Sequence, residues 1–303
     1  MKYLLKHKDA IVIFSTILVI AGVSSVLILG FRLGIDFTSG SLWQMRIQDT
    51  NATQLRDFFT DQLGVGQVNI SYDSANSVYA VSLEQITENQ RQDYLTKLQN
   101  NFQGVESLDF STISPSVSTE LRQKSMLAIV FVLVGISLYI AFAFRKVSEP
   151  IKSWKYGVIT LITLFHDVSI PAGVFAILGH TIGLAIDTNF IVALLFVMGF
   201  SVHDTIVVFD RIRENLLITI KEKRTIVLGE VVDKSIMETL ARSINTSLTL
   251  IFILVTLFFF GPISIKYFVL TILIGTIAGT YSSIFFASPL LLLAERLSRS
   301  SHK

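Results

Sequence analysis

One carboxyl sits where a carboxyl is expensive. Asp204 lies within Gly199-Phe200-Ser201-Val202-His203-Asp204-Thr205-Ile206-Val207-Val208-Phe209-Asp210-Arg211, an otherwise apolar stretch. About twenty mostly apolar residues cross a bilayer as a helix. A charge at the centre of such a helix costs about 2.5–3.5 kcal/mol on insertion scales, so it carries a partner or a task. Asp210, about 9 Å further along the helix at ~1.5 Å per residue, marks the end of that run. Arg242 and Asn245 open the next apolar run, with Thr246, Ser247 and Thr249 behind them. With that span beginning near Ile236, Arg242 reaches the depth of Asp204, and the expectation is an Asp204–Arg242 pair that responds to protonation. His203 stands beside the carboxyl. Asp204, Arg242, His203 and Asn245 are thus the candidate proton pathway. His166 and Asp167, in the middle of another apolar run, are secondary candidates, expected to point to different helix faces.

Each group also has an inert alternative. Asp204 can be static hydrogen-bonding glue, Arg242 can snorkel to the headgroups, and Asp210, Arg211, Arg213 and Glu214 read as interfacial charges. Imidazole and carboxylate suit zinc or iron, but the spacing offers no closed site and no third histidine within a span. Two intramembrane aspartates raise an aspartyl protease. Such enzymes carry Gly-x-Gly-Asp, whereas Val202 and His203 precede Asp204. The expectation is therefore no metal, no cofactor and no enzyme.

The elements that must position these groups follow from hydropathy. The 303 residues are 51% hydrophobic and 16% charged, with a mean hydropathy of +0.61, the composition of a polytopic membrane protein. The net charge of +2 gives no argument for nucleic acid, because the charges segregate by region, and the absence of cysteine excludes disulfides and thiolate sites. Six apolar runs stand out, near 10–30, 125–144, 155–178, 187–209, 244–261 and 267–293. The first is too long for a signal-peptide core and is expected to be a retained span.

Lysine and arginine orient the spans. Lys2, Lys6 and Lys8 precede the first; Arg145, Lys146, Lys152 and Lys155 separate the second and third; Arg211, Arg213, Lys221, Lys223, Arg224 and Lys234 separate the fourth and fifth; Arg296, Arg299 and Lys303 follow the sixth. The opposite links, 179–187 and 262–266, carry only Lys266. By the positive-inside rule both termini are cytoplasmic and the long polar insert is outside. The expected organisation is a cytoplasmic N-terminus and first span over 1–32, an extracytoplasmic domain over 33–122, and a five-span bundle over 123–303 with a cytoplasmic loop at 211–241. Ile226, Val227, Val231, Val232 and Ile236 could lie along the bilayer surface or belong to a solvated connector.

The insert holds five Lys/Arg against eleven Asp/Glu. Ser41–Ile47 is strand-like, and Thr53–Leu63 reads as a helix with Leu55, Phe58, Phe59 and Leu63 on one face. Gln67–Tyr72 and Val78–Leu83 read as strands joined by a turn at Asp73-Ser74-Ala75-Asn76. Thr87 caps a helix to about Phe102, and Val105–Ile113 is a last strand. The order β-α-β-β-α-β is that of a ferredoxin-like domain. In the sixth span, Gly275-x-x-x-Gly279 marks a helix-packing face or a flexible point.

Several of these segments resemble the SecF family. Gly34-Ile35-Asp36-Phe37-Thr38-Ser39-Gly40 is similar to its D-F-T-G-G motif, and Ser114-Pro115-Ser116-Val117-Ser118-Thr119-Glu120-Leu121 to its G-P-x-V-G-x-E-L. Leu164–Gly179, Gly199–Asn215, Arg242–Leu250 and Gly275–Pro289 also match, in order, over nearly the whole chain. The resemblance implies half of an RND-like twelve-span unit completed by a SecD-like subunit in a bacterial inner membrane. It implies assistance to the SecYEG channel, proton-driven, late in the export of unfolded polypeptides. It also makes Asp204 the membrane carboxyl of the proton pathway and Arg242 its charged partner. A non-energetic scaffold is the competing class, and a small-molecule exporter is disfavoured by the small outer domain. The chain departs from the family at His203, commonly Asn, and at Ser39, Ser114 and Ser118, which replace glycines. At the Ser114–Ser118 turn the expectation is a backbone that avoids the positive φ glycine would allow.

Overall fold

Long apolar runs satisfy their backbone polar groups internally, and in lipid that requires helices. The computed structural model describes residues 8–73, 77–144 and 152–300. Among the described residues are six helices long and apolar enough to cross a membrane. They are α1 (Lys8–Leu29), α5 (Pro115–Ala143), α6 (Ser153–Ile182), α7 (Thr188–Lys221), α8 (Leu228–Phe260) and α9 (Lys266–Phe285), which continues as α10 (Ala287–Ser300). Between α1 and α5 lie the short α2 (Ile35–Thr38), β1 (Gly40–Arg46), α3 (Ala52–Asp57), β2 (Val68–Asp73), β3 (Val78–Leu83), α4 (Glu88–Asn101) and β4 (Glu106–Ile113). Residues 74–76 of the expected turn lie outside the described residues, as do Lys2, Lys6, Arg145, Lys146 and Lys303.

The chain divides into two compact units. One holds Ser25–Ala128 and Val174–Ile191. Its sheet runs β2-β3-β1-β4 with every neighbour antiparallel, the ferredoxin-like arrangement expected from the element order. Trp43 and Met45 alternate inward on β1 and pack with Val81 of β3 and with Leu55, Phe59 and Leu98 on the apolar faces of both helices. Each helix starts at a capping box, Asn51 with Gln54 and Thr87 with Gln90, which satisfies otherwise orphaned amides. The first helix differs from the expected continuous one. It leaves α geometry after Asp57 and passes through a π turn over Phe58–Gln62, which still buries Phe58 and Phe59. In the same unit the chain after α1 runs alongside the α6–α7 link, with Gly34 N donating to Ile186 O at 2.8 Å and Ile186 N to Arg32 O at 2.8 Å.

Ser39 takes a conformation that its replacement of glycine argued against. Its φ of 64° and ψ of 168° lie in a region nearly restricted to glycine. The following Gly40, at φ 121°, enters β1 with Leu83 O so near that a Cβ would fall 2.5 Å from it. Packing against β3 thus forces the turn, and Ser39 bears the strain. Ser114 and Ser118 have no positive φ, as expected.

The other unit contains α1 to Ser24, Ile129–Gly173 and the chain from Val192 onward. Its helices run further than the apolar runs that announced them, because polar residues extend a helix wherever one face still packs. α7 continues to Lys221 and α8 begins at Leu228, so most of the expected 211–241 loop is helical. Val231, Val232 and Ile236 are buried against Phe209, Ile212 and Leu216 rather than lying on a bilayer surface. Arg211 Nε to Glu238 Oε2 at 2.6 Å and Asn215 Nδ2 to Ser235 Oγ at 2.9 Å fasten the two extensions together.

Candidate functional site

Small residues decide how closely the helices of this second unit approach. A Cβ on Gly275 of α9 would fall 2.3 Å from Val197 Cγ2 of α7, and one on Gly279 would fall 3.3 Å from Ser201 Cβ. The Gly-x-x-x-Gly stripe is therefore a packing face, docked on residues four apart along α7. Gly22 of α1 meets Ser169 and Gly173 of α6 in the same way, a Cβ on it falling 2.4 Å from Ser169 O. These approaches bring hydroxyls within reach of two aspartates that are themselves buried.

Asp204 accepts hydrogen bonds from two other helices. Ser243 Oγ of α8 donates to Oδ1 at 2.6 Å, and Ser283 Oγ of α9 donates to Oδ2. Asp167 of α6 has a parallel arrangement. Its Oδ2 accepts from Ser201 Oγ of α7 and from Ser282 Oγ of α9, the latter at 2.7 Å, and its Oδ1 lies 2.8 Å from His166 Nδ1. His166 and Asp167 are adjacent yet meet, contrary to the expectation of divergent faces. The contact pairs His166 Nδ1 with Asp167 Oδ1 inside the bundle, where a buried polar atom needs a partner. The far nitrogen of the ring, Nε2, is buried and has no hydrogen-bond partner among the described residues, and the ring centroid lies 4.9 Å from that of Phe286, the planes tilted by 32°.

The Asp204–Arg242 pair is not formed. Among the described residues Arg242 takes part in no ion pair. Its neighbour Ser243 turns inward to Asp204, and a helix step of about 100° per residue then carries Arg242 outward. Arg242 instead lines a cavity of about 630 Å³ with Asp210, Arg213, Glu214 and Glu238. There Arg211 pairs with Glu214 and Glu238, each at 2.6 Å, and Arg213 with Asp210 at 3.1 Å. His203 and Asn245 are exposed on the outer faces of α7 and α8. Of the sequence candidates, then, the structure buries Asp204, His166 and Asp167 and leaves Arg242, His203 and Asn245 outside.

Four serines escaped the sequence reading. Ser243, Ser282, Ser283 and Ser201 are buried and supply the hydroxyls that hold the carboxyls. The available signal was the spacing of Ser201 and Asp204, three apart and so on one helix face, together with the vicinal Ser282-Ser283 beside the glycine stripe. Such serines are common packing residues in membrane helices, and sequence cannot say which of them faces a carboxylate. Among the described residues no group of three or more His, Cys, Asp and Glu is placed to hold a metal.

Six apolar helices interrupted by a ferredoxin-like domain, with two buried carboxyls on neighbouring helices, define a multi-pass membrane protein. Residues 93–297 match the family model for the C-terminal region of the protein export membrane proteins SecD and SecF. The chain is 42% identical over 304 residues to the protein translocase subunit SecF of Thermobaculum terrenum, covering 96% of this chain and 93% of that one. It is 33% identical to SecF of Helicobacter pylori strain J99, covering 95% of this chain and 86% of that one. The crystal structure of SecDF, a translocon-associated membrane protein from Thermus thermophilus, is similar at a TM-score of 0.84 and 29% identity, over 97% of this chain. This chain spans 38% of that longer one. The chain belongs to the SecF family of protein translocase subunits.

Proposed function

We propose that this chain works with a SecD-like subunit of similar architecture as a proton-driven accessory to the SecYEG channel, assisting late steps in the export of unfolded polypeptides. In this reading both termini are cytoplasmic, the membrane is the bacterial inner membrane, and the domain over 33–122 meets the exported chain outside. The observation that carries it is Asp204, a buried carboxyl in the interior of a spanning helix whose partners among the described residues are two hydroxyls and no cation. A hydroxyl both donates and accepts. Asp204 can therefore gain or lose a proton without an ion pair having to break. Arg242, Asp210 and Glu238 line the cavity, which in this reading serves as the cytoplasmic exit for the proton. His203 and Asn245 face outward, where a partner's helices would pack.

The test replaces the resident subunit of a depleted cell with the Asp204→Asn variant at matched membrane abundance. Asn keeps the size and much of the hydrogen bonding but holds no exchangeable charge. The expected result is loss of export together with loss of its dependence on the proton gradient, while the partner complex still assembles. Normal export with D204N makes Asp204 structural and leaves the scaffold class in its place.

A further inference from the structure

We propose that Ser283 is the positioning residue through which the protonation state of Asp204 moves α9, with its neighbour Ser282 acting as the fixed anchor of the same helix. The proposal rests on the reading of Asp204 as a proton site and adds the element that reads it.

Consecutive residues of α9 bind two different carboxylates on two different helices, Ser282 to Asp167 of α6 and Ser283 to Asp204 of α7. Each serine also has a second acceptor within its own helix: Gly279 O lies 3.1 Å from Ser282 Oγ, and Thr280 O lies 3.1 Å from Ser283 Oγ. A hydroxyl has one hydrogen to give, so each serine divides it between its own helix and a neighbouring one. A charged acceptor attracts that hydrogen more strongly than a neutral carbonyl. While Asp204 is ionised, Ser283 ties α9 to α7. Once Asp204 takes a proton, the hydrogen of Ser283 returns to Thr280 O and the tie between helices weakens.

The other end of the pair is built to stay. Asp167 has three partners, His166, Ser201 and Ser282, and both it and His166 are fully buried. Asp204 has two, and Thr280, whose carbonyl takes the returning hydrogen, itself donates to Ser247 of α8 at 2.7 Å. Loosening at Ser283 is thereby passed to α8 as well as α7, with Ser282 as the pivot. Other ionisable groups on the elements around Asp204 include His203, Asp210, Arg211, Arg213 and Glu214 on α7, Arg242 and Glu238 on α8, Tyr156, His166 and Asp167 on α6, Tyr281 on α9 and the buried Glu295 on α10. The direct hydrogen bonds to the carboxyl come from serines.

The chain contains no cysteine, so a pair of spin labels is introduced cleanly at Phe196→Cys on α7 and Ile277→Cys on α9, both exposed positions. The label-to-label distance is measured across a pH series in the full chain with its partner in lipid vesicles. The expected result is a distance shift that titrates in the otherwise unaltered chain, is lost in Asp204→Asn, is lost in Ser283→Ala, and keeps its midpoint in Ser282→Ala, whose missing hydroxyl bound Asp167 and not Asp204. Ser243→Ala, which removes the other hydroxyl from the same carboxyl, is expected to move the midpoint while keeping the full shift. This variant serves where S283A fails to assemble with its partner, and an unmoved midpoint or a lost shift in it overturns the proposal. A shift lost in D204N but intact in S283A overturns the role of Ser283 and leaves the proton site standing. A shift unchanged in D204N, or absent from the unaltered chain, overturns both.

Discussion

Gly275→Ala is the perturbation that most directly tests how the site is positioned. The added Cβ would sit 2.3 Å from Val197 Cγ2, 2.6 Å from Cγ1 and 3.0 Å from Cβ. Carbon atoms in contact rest about 3.5–4.0 Å apart, so α7 and α9 must separate by ~1–1.5 Å at this point. Val197 is fully buried and cannot swing aside. Overpacking of this kind costs about 1–3 kcal/mol. Ser282 and Ser283 lie two turns further along α9, so the same separation lengthens their hydrogen bonds to Asp167 and Asp204. The assay is thermal unfolding of the purified chain in detergent for G275A, Val197→Ala and the double variant, read as a double-mutant cycle. G275A is expected to be destabilised by ~2 kcal/mol and the double variant to recover part of that loss, a coupling well outside additivity. A G275A protein as stable as the parent, or strictly additive variants, would refute the reasoning that this stripe sets the helix spacing.

Two further outcomes follow from the other unit. Ser39→Gly relieves a conformation that costs a non-glycine residue about 1–3 kcal/mol, offset in part by the greater freedom of glycine in the unfolded chain. A net gain of ~1 kcal/mol, seen as a raised melting temperature of the full chain, is expected; no gain means that Ser39 is not strained. Burial pushes the Asp187 carboxyl above its ordinary value of 3.8, opposed by the hydrogen bond from Phe190 N and reinforced by the nearby Asp36 carboxylate. A raised folded-state value means a contribution to stability that is complete below the ordinary value and is lost as pH rises through the folded one. Relative to Asp187→Asn, the parent should therefore gain stability as pH falls from neutral toward that ordinary value; parallel melting profiles for the two would count against it.

The sequence by itself determined the six spans, the β-α-β-β-α-β order of the insert and the position of a costly carboxyl. Each is set by local physics: hydrocarbon thickness fixes run length, side-chain alternation fixes strands, and Thr87 with Gln90 closes a cap three residues wide. Helix ends were less legible, because α7 and α8 continue through charged residues for as long as Ile212, Leu216 and Val232 still pack. The strain at Ser39 was invisible, being imposed by the approach of β3 to Gly40. What only the tertiary structure decided is which groups meet. Arg242 and Ser243 are neighbours in sequence, with the charge of Arg242 making it the natural partner for Asp204. The rotation of α8 against α7 gave the contact to the serine instead. The pairing of Asp167 and Asp204 with Ser282 and Ser283 depends on three helices brought close by glycines that have no chemistry of their own. A hydroxyl becomes a functional group here through distance, and distance between helices is a property of packing that no single segment carries.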